Sequence, residues 1–426
     1  MREKVAVIGL GYVGLPLACL CAKKGYNVRG FEVDKQKVDL INSGKSPVKD
    51  SFVLNCFKQG VRVKASTVPK EALEKAEIAI VCVPTPAIGN KPDLSFVKTA
   101  CETLAKFVSK GELVIIESTV YPGTVEEIVK PILETESKLE AGKDFFLGHC
   151  PERIDPGNEK FTIETIPRVL SCLSKEGKAR AKEFYSSIID AEITVLETVK
   201  AAEAVKVVEN TFRDVNIAFV NELAKSFDKM GIDLLEVIKG ASTKPFGYMP
   251  FYPGPGVGGH CIAQDPYYLI ARAKQAGFSH KFLSLAREIN EAMPQYVLSL
   301  VENALQEIYI HAAKAKVAVL GLAYKPEIDD LRESPALKIV SLLEEKGILV
   351  KTFDPFAKKQ SNSSSLEEAV KQSDLVVLAT HHKSIVEKLS PQFLKKMKVK
   401  AVVDARNALD KKSITAKGIY YKGIGR

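Results

Sequence analysis

The sequence predicts an α/β fold with two Rossmann-like, doubly wound parallel-sheet domains joined by a long central helix and a further helical segment. Short β-rich apolar runs alternate with helical patterns near both ends of the chain, as is typical of parallel sheets. The run Lys316–Lys325 repeats the pattern of Lys4–Val13, which indicates that the second sheet resembles the first. Between them, Lys200–Met230 contains neither Gly nor Pro and repeats apolar residues at helical spacing. This predicts one helix of about 30 residues.

The composition is that of a globular protein. With 426 residues, 46% of them hydrophobic and 27% charged, the chain is long enough for two or three domains and excludes the disordered and fibrous classes. Its net charge of +9 suits anionic ligands, but no basic stripe accompanies it, so we expect no nucleic-acid partner. The eight cysteines show no C-x-x-C spacing and the six histidines no H-x-x-x-H pair. We therefore expect reduced thiols, a cytoplasmic location and no metal.

The first apolar run ends in a glycine-rich turn. Val5–Ile8 has the composition of a strand and leads into a G-x-G-x-x-G motif that opens a helical pattern. Gly9 allows the tight turn, Gly11 lets the backbone approach a pyrophosphate, and Gly14 permits close packing of the helix. Glu32 ends the next predicted strand, where an acid can hold ribose hydroxyls, so we expect NAD rather than NADP. A glycine turn without a ligand is the alternative.

Further strands extend this sheet. They end in polar turn residues and alternate with helices, so their carboxyl ends should meet at one edge. Val83, Thr85 and Thr119 are therefore expected to line the cofactor cleft, although ordinary turn chemistry is the alternative. The uncharged run Val5–Ala22 holds three glycines and a proline, so we expect no membrane span. The predicted elements are a helix over Leu15–Lys24 and strands over Val28–Val33, Ile78–Val83 and Leu113–Glu117.

The helical segment follows the long helix. A second helical pattern runs over about 283–312 and is broken by Pro294. A long helix between two α/β segments is suited to bridging domains or subunits, so we expect a homodimer or a higher homo-oligomer.

The third section resembles the first but lacks two of its glycines. Val350–Phe353 followed by Asp354 matches the strand that precedes Glu32, and Leu375–Ala379 is the next predicted strand. Because the turn after the first strand has lost the second and third glycines, this domain is expected to bind a ligand other than the dinucleotide. Lys358–Ser365 is predicted to be a polar surface loop.

A loop dense in glycine and proline, Phe246–Cys261, is the least ordinary stretch of the chain. It ends in a cysteine just before a predicted helix over Pro266–Ala276. A thiol near a helix N-terminus is expected to be nucleophilic, because the dipole favours the thiolate. A small buried cysteine is the alternative. His260 is its chain neighbour, a position that rarely allows a side-chain dyad.

Several motifs occur along the chain in a fixed order. They are Gly9–Gly14, Val83–Pro86, Glu117–Thr119, Pro151–Arg153, Glu203–Asn210, Gly258–Cys261 with Asp265, and Gly321–Lys325 with Arg332–Ser334. Together they resemble the UDP-sugar 6-dehydrogenase branch of the UDP-glucose/GDP-mannose dehydrogenase family. Members of that family oxidise the C6 alcohol of the sugar to a carboxylate with two NAD+. The resemblance covers essentially the whole chain.

The resemblance implies a covalent mechanism. Cys261 would capture the C6 aldehyde as a thiohemiacetal, which the second oxidation converts to a thioester. Lys206 and Asn210, one helical turn apart, would stabilise the oxyanion, with solvated helix positions as the alternative. Asp265 and Glu152 would handle proton transfer and water activation, although Asp265 is also placed to cap the helix. The implied catalytic residues are Cys261, Lys206, Asn210, Asp265, Glu152 and Thr119.

The resemblance also implies the binding residues. Cofactor contacts are expected at Gly9, Gly11, Tyr12, Val13, Gly14, Glu32, Val83, Thr85, Ser118, Thr119 and Arg332. Substrate contacts are expected at Glu152, Arg153, Lys206, Asn210, Arg213, Tyr248, Phe251, Gly258, Lys325 and Arg406. The arginines suit a diphosphate, although a surface ion pair is the commoner fate of an arginine. The expected domains are 1–198 for NAD, 199–313 for dimerisation and the Cys loop, and 314–426 for the UDP-sugar.

The identity of the sugar is a finer question. His260 and Arg153 stand where UDP-glucose members usually have Ser and Phe, which resembles the branch that oxidises UDP-N-acetylhexosamines. Phe246–Gly254 and Glu288–Pro294 favour UDP-GlcNAc, whereas Ile328–Pro335 also occurs in relatives that use UDP-ManNAc. We therefore expect UDP-GlcNAc, with UDP-ManNAc as the alternative. A single-step β-hydroxyacid dehydrogenase and an inactive nucleotide-sugar-binding regulator are the more distant alternatives.

Overall fold

The computed structural model describes residues 3–89, 91–154, 161–259 and 261–426. Contacts within the chain divide it into two compact units. The first is Met1–Glu209 with Tyr267–Phe278, and the second is Asn210–Pro266 with Ser279–Arg426. Each unit contains one sheet of largely or wholly parallel strands, so the predicted α/β class with two such sheets is confirmed. The division into three domains stays a prediction.

The first unit is built on an eight-stranded sheet and a separate two-stranded ribbon. Its strands are β1 (Lys4–Ile8), β2 (Asn27–Phe31), β3 (Lys64–Ser66), β4 (Ile78–Val81), β5 (Ala87–Ile88), β6 (Lys91–Pro92), β7 (Leu113–Ile116), β8 (Phe146–His149), β9 (Arg168–Cys172) and β10 (Ile193–Val195). Its helices are α1 (Gly14–Lys23), α2 (Lys35–Asn42), α3 (Ser51–Lys58), α4 (Pro69–Leu73), α5 (Ser95–Ala105), a π-helical turn (Val125–Val129), α6 (Lys130–Ser137) and α7 (Lys175–Ile188).

The large sheet has the strand order β10-β9-β8-β7-β4-β1-β2-β3. All its neighbours are parallel except β8 and β9. Along β1, Val5 and Val7 belong to one buried cluster, while Ala6 and Ile8 belong to another. The sheet is therefore covered on both faces, as a doubly wound fold requires. Strand order reverses between β1 and β4, which is where such folds bind ligands.

The second unit begins within the long helix. Its elements, in chain order, are α8 (Val199–Met230), α9 (Leu234–Ala241), α10 (Cys261–Gln275), α11 (Lys281–Glu291), α12 (Met293–Glu307), a 3₁₀ turn (Ala312–Lys314), β11 (Lys316–Leu320), α13 (Pro335–Glu345), β12 (Leu349–Phe353), a 3₁₀ turn (Lys358–Gln360), α14 (Leu366–Val370), β13 (Leu375–Leu378), α15 (Lys383–Lys388), α16 (Pro391–Lys396), β14 (Ala401–Asp404), α17 (Lys411–Thr415) and β15 (Tyr420–Gly423). The unit boundaries fall within α8 and α10.

The second sheet has the order β12-β11-β13-β14-β15, and all its strands are parallel. Along β11, Val317 and Val319 pack in one buried cluster, and Ala318 and Leu320 pack in another. Strand order reverses between β11 and β13, so a ligand is expected at the loops that follow these two strands.

The helices differ from prediction at Pro266 and agree with it at Pro294. Helix α10 begins at Cys261 rather than Pro266, so the proline lies inside it and removes one backbone hydrogen bond. Pro294 separates two helices as expected, because it occupies the first turn of α12, where a missing N–H costs little. The predicted long helix is confirmed as α8, with 32 residues. Within the described part of the chain, no helix is both long and apolar enough to cross a membrane.

Candidate active site

The glycine turn after β1 forms a cradle at the N-terminus of α1. Gly9 has a φ of 87°, in the left-handed region, and a Cβ there would lie 2.7 Å from the carbonyl oxygen of Cys82. A Cβ on Gly14 would lie 1.9 Å from the carbonyl oxygen of Gly9, whereas one on Gly11 would meet no atom within 4 Å. The first and third glycines are therefore needed for the turn itself. The second leaves space for a ligand, which fits the pyrophosphate of a dinucleotide.

Because of this difference, Gly11→Ala and Gly14→Ala should have different effects on NAD binding and on stability. We expect Gly11→Ala to weaken NAD binding by about tenfold or more without changing the melting temperature, because its methyl group occupies only ligand space. We expect Gly14→Ala to lower the melting temperature by several degrees, because its methyl group meets the backbone. Calorimetric titration with NAD and thermal unfolding of both variants would check this. Equal losses of stability in the two variants would contradict it.

Glu32 follows β2 and supports the same turn. Its side chain accepts hydrogen bonds from the backbone N–H of Leu10 at 3.0 Å and of Asp34 at 3.1 Å. The residue is only 7% exposed. The Glu32 carboxylate therefore fixes the backbone beside the glycines. Its binding of ribose hydroxyls stays a prediction.

The strands of the first sheet end in register. The last residues of five parallel strands form one row across the sheet, Phe31, Ile8, Val81, Ile116 and His149. The turns that follow them therefore meet at one edge and carry Glu32, Gly9–Gly14, Thr85, Thr119 and Glu152. That Thr85 and Thr119 contact the cofactor stays a prediction.

Internal hydrogen bonds order these turns. The Ser118 hydroxyl donates to the carbonyl of Val83 at 2.8 Å, and the carbonyl of Thr85 accepts from the Tyr268 hydroxyl at 2.6 Å. Both Ser118 and Thr85 are buried, whereas Tyr12 is 52% exposed at the glycine turn.

Glu152 and Lys206 form a nearly buried ion pair at this edge. Oε2 of Glu152 lies 3.6 Å from Nζ of Lys206, and the two side chains are only 13% and 9% exposed. Charged side chains are seldom buried unless they are paired. Even a paired charge costs desolvation free energy when it is buried, so this ion pair is not a typical surface contact. Such a pair beside the carboxyl edge of a parallel sheet marks the position as a functional candidate.

Arg153 follows Glu152 and is already engaged. Its guanidinium lies 2.5 Å from Oε1 of Glu209, and it donates to the carbonyl of Pro167 at 3.0 Å. Its predicted contact with substrate therefore stays a prediction.

A buried network next to the Glu152 turn was not predicted from the sequence. Arg168 is fully buried, donates to the carbonyl of Pro151 at 3.4 Å and lies 3.8 Å from a carboxylate oxygen of Glu117. The Tyr185 hydroxyl donates to Glu117 at 2.5 Å. Burial raises the pKa of Glu117. Glu117 belongs to the motif Glu117–Thr119, whereas Arg168 begins β9 and belongs to none of the motifs that the sequence analysis identified.

Glu203, on α8, is a second buried acid that sequence reasoning did not assign. Its oxygens accept from the backbone N–H of Gly123 at 2.6 Å and of Val125 at 2.7 Å. Burial raises the pKa of Glu203 to about 7, against the opposing effect of these backbone bonds. Its position fixes the turn that follows Thr119.

In the second unit, Asn210 and Asp265 are brought together. Nδ2 of Asn210 donates to Oδ2 of Asp265 at 2.5 Å, and the two residues are 7% and 2% exposed. Cys261 begins α10, but its side chain lies outside the described part of the structure, and so does His260. The structure thus places Asp265 one helical turn after the predicted nucleophile.

Arg406 is the most distinctive cation of the second sheet. It follows β14, where its Nε donates to the carbonyl of Ala379 at 2.9 Å and its Nη2 to that of Tyr324 at 3.4 Å. Within the described residues, no carboxylate forms an ion pair with its guanidinium. Burial lowers the pKa of Arg406 to about 10. A partly desolvated arginine held only by carbonyls is suited to an anionic ligand.

The remaining predicted residues of the second unit lie in three places. Arg213 is on α8, Lys325 and Arg332 follow β11, and the glycine- and proline-rich loop that ends at Cys261 carries Tyr248, Phe251 and Gly258. Gly259 donates its N–H to the carbonyl of Arg332 at 3.0 Å, while the Arg332 guanidinium lies 2.6 Å from Asp330. A Cβ on Gly258 would lie 2.7 Å from the Cβ of Tyr324. Exposure and packing vary among the others: Arg213 is exposed, Tyr248 and Lys325 are half-buried, and the ring of Phe251 packs edge-on against Phe212.

Metal and disulfide chemistry find no support in the described residues. Within them, no group of three or more His, Cys, Asp or Glu side chains could hold a metal ion. The seven cysteines whose side chains are described are all free and buried.

Family models match the chain in three consecutive parts. All describe the UDP-glucose/GDP-mannose dehydrogenase family: its NAD binding domain matches residues 3–189, its central domain residues 200–292 and its UDP binding domain residues 318–411.

Several individual proteins are similar to this chain over most of their length. A UDP-N-acetyl-D-mannosamine dehydrogenase from Methanococcus vannielii is 36% identical over 99% of this chain and 97% of its own. A UDP-N-acetyl-D-glucosamine 6-dehydrogenase from Pseudomonas aeruginosa is 41% identical over 83% of both chains. The solved structure of a UDP-D-ManNAc dehydrogenase from Pyrococcus horikoshii aligns with a TM-score of 0.93 and 36% identity over 99% of each chain.

Proposed function

Because the chain belongs to the UDP-glucose/GDP-mannose dehydrogenase family, we propose that it oxidises the C6 alcohol of UDP-N-acetylmannosamine to the uronic acid. The protein is an NAD-dependent dehydrogenase of nucleotide sugars, with an NAD-binding domain at its N-terminal end and a UDP-binding domain at its C-terminal end. The observation that carries the proposal is the nearly buried Glu152–Lys206 pair at the ligand-binding edge of the NAD-binding sheet.

Two epimers are candidates for the sugar. The sequence favoured UDP-GlcNAc, but relatives matched over nearly their whole length are named for UDP-ManNAc. The relative named for UDP-GlcNAc has a higher identity over a shorter alignment, 41% over 355 residues. Full-length likeness supports UDP-ManNAc as the substrate, with UDP-GlcNAc as the second candidate.

The first oxidation needs a group that stabilises negative charge on the oxygen attached to C6. Bound NAD+ would supply the hydride acceptor for both oxidations. Lys206 and Asn210, four residues apart on α8, would donate hydrogen bonds to the developing oxyanion. The hydrogen bond to Asp265 holds the Asn210 amide in one orientation. Glu152 balances the Lys206 charge and would accept the proton, directly or through water.

Covalent capture links the two oxidations. The Cys261 thiolate would add to the aldehyde carbon, and the resulting thiohemiacetal would lose its hydroxyl proton and a hydride to become a thioester. Water activated by Glu152 or Asp265 would then attack the acyl carbon, releasing the carboxylate and returning the thiol. Capture keeps the reactive aldehyde in place while NADH is replaced by NAD+.

The nucleotide end of the substrate would be held by the second sheet. Arg406 and the half-buried Lys325 lie within residues 318–411, which match the UDP binding domain. Arg406 offers a guanidinium fork without an acidic partner among the described residues, which suits a diphosphate.

The helix α8 supports assembly into a homodimer or a higher oligomer. Val208, Phe212 and Phe219 on this helix are each about half exposed, at 52%, 49% and 55%. Apolar side chains of this size on one helix are typical of a protein interface. We further propose that residues 1–198 bind NAD, 199–313 carry the Cys loop and the dimer contacts, and 314–426 bind UDP.

Counting NADH from limiting substrate tests the proposed function. With excess NAD+, we expect UDP-ManNAc to give two NADH per sugar and to react with a higher kcat/KM than UDP-GlcNAc. A yield of one NADH would contradict oxidation to the acid and favour single-step dehydrogenase chemistry. No NADH from either epimer, together with tight binding of UDP, would favour an inactive regulator. A higher kcat/KM for UDP-GlcNAc would overturn the choice of epimer.

A further inference from the structure

The turn after β11 is held at its backbone by hydroxyl groups from two other turns. In segment 321–327, the carbonyl of Leu322 accepts from the Ser334 hydroxyl at 2.6 Å, and the carbonyl of Ala323 accepts from the Thr380 hydroxyl at 2.5 Å. Thr380 follows β13, the strand across the switch point from β11. These two bonds fix the carbonyl groups of the turn.

Asp354 fixes the opposite, N–H side of the same turn. It is fully buried after β12, at the position that corresponds to Glu32 in the first sheet. Its two oxygens accept from the backbone N–H of Leu322 (2.7 Å), Ala323 (2.9 Å), Phe356 (2.8 Å) and Ala357 (2.8 Å) and lie near Nε2 of His382 (3.0 Å). A carboxylate offers about four lone-pair sites, so this one has no capacity left for the hydroxyls of a ligand.

His382 joins Asp354 to the far end of the turn. Its Nδ1 accepts from the backbone N–H of Glu327 at 3.0 Å, so its Nε2 must carry the hydrogen and donate to Asp354. The imidazole is fully buried, and the ring of Phe356 stacks on it with centroids 5.1 Å apart. Both ring nitrogens are thus committed, and the tautomer is set by the two bonds.

Lys325 lies in the sequence between two residues whose backbone N–H groups are hydrogen-bonded, Ala323 and Glu327. Ala323 on one side is bound to Asp354, and Glu327 on the other is bound to His382. Glu327 has a φ of 64°, an uncommon conformation for a non-glycine residue that its surroundings must maintain. The carbonyl of Tyr324, within the same turn, also supports Arg406.

We propose that His382 is a positioning residue for the nucleotide site. It orders segment 321–327 in advance, so that Lys325 and the carbonyl that supports Arg406 are in place before the diphosphate arrives. This inference rests on the proposed function, because it assigns His382 to the UDP-binding end of that site. Preorganisation of this kind improves affinity by removing the cost of ordering on binding.

Three substitutions at His382 separate its two hydrogen bonds. His382→Leu removes both, His382→Gln keeps a donor for Asp354, and His382→Asn keeps an acceptor for the Glu327 N–H. We expect His382→Leu to weaken UDP binding by about tenfold and to raise the KM of the nucleotide sugar, with the KM of NAD unchanged. We expect His382→Asn to restore UDP affinity to within about threefold of wild type, because the bond that holds the far end of the turn remains.

A double-mutant cycle tests whether His382 acts through the turn. In a Lys325→Met background, we expect His382→Leu to weaken UDP binding by only about threefold, because the lysine is absent and only the support of Arg406 through the Tyr324 carbonyl remains to be lost. His311→Leu is the matched control, because it removes an exposed histidine of the same unit. Circular dichroism of each variant would verify folding, and titration with UDP needs no turnover.

The outcomes distinguish the two proposals. If the wild-type protein does not bind UDP, the proposed function fails. If the wild-type protein binds UDP and folded His382→Leu binds it equally well, or if the KM of NAD rises as much as that of the sugar, the positioning role is wrong. Full additivity with Lys325→Met, or no recovery in His382→Asn, would also overturn it.

Discussion

Replacing Cys261 with alanine is expected to reduce formation of the uronic acid by at least about 10³-fold, because it removes the thiol proposed to form the thioester. NAD affinity should not change, since the glycine turn is intact. The measurement is the yield of NADH and of acid from limiting nucleotide sugar with excess variant enzyme. We expect at most one NADH per sugar, with aldehyde rather than acid as the product.

A second cysteine serves as the matched control. Cys101 is buried in α5 within the hydrophobic core of the first unit. Cys101→Ala should leave the NADH yield at two per sugar, whatever it does to stability. Formation of acid by Cys261→Ala at a rate close to wild type would contradict the covalent mechanism and leave direct oxidation of the hydrated aldehyde as the explanation.

Replacing Lys206 with methionine is expected to lower kcat by about 10²- to 10³-fold, the usual effect of removing one oxyanion donor. It should also lower the melting temperature, because Glu152 would be left as an unpaired, nearly buried charge. Steady-state kinetics and thermal unfolding would measure the two effects separately.

A double variant distinguishes catalysis from stability here. In Lys206→Met with Glu152→Gln, neither charge remains, so we expect the melting temperature to recover while kcat stays low. Lys229→Met, at an exposed position near the end of the same helix, is the control and should change neither. Recovery of kcat together with stability would mean that neither Lys206 nor Glu152 takes part in catalysis.

Much of the fold could be predicted because its signals are local. The β1 strand and its glycine turn are adjacent in the sequence. At Gly9 and at Gly14 a side chain would clash with the backbone, so the need for glycine is visible in the motif itself. Parallel pairing then brings Thr85, Thr119 and Glu152 to one edge without any further information.

The supporting residues could not be predicted because their partners are distant in sequence. Arg168 contacts Pro151 and Glu117 only through the pairing and packing of strands, and nothing in its neighbourhood distinguishes it from a solvated arginine. Glu203 was seen as part of a motif, but its task of holding the N–H groups of Gly123 and Val125 depends on how α8 packs. Such contacts are properties of the folded chain.

The start of α10 was misplaced for a different reason. Proline is favoured at the first position of a helix, which made Pro266 the natural starting point. The helix instead begins at Cys261 and tolerates the proline within it. The predicted nucleophile is thus the first residue of the helix rather than a loop residue that precedes it.

The acidic residue that follows the second strand has a different role in each sheet: Glu32 follows β2, and Asp354 follows β12. Glu32 has two backbone donors and retains acceptor capacity, whereas Asp354 is filled by four backbone donors and a histidine. Restoring the missing glycines after β11 would therefore not turn the second sheet into another dinucleotide site. For protein engineering, Glu32 is the one of these two acids at which cofactor preference is open to change, whereas Asp354 is occupied in holding its own turn.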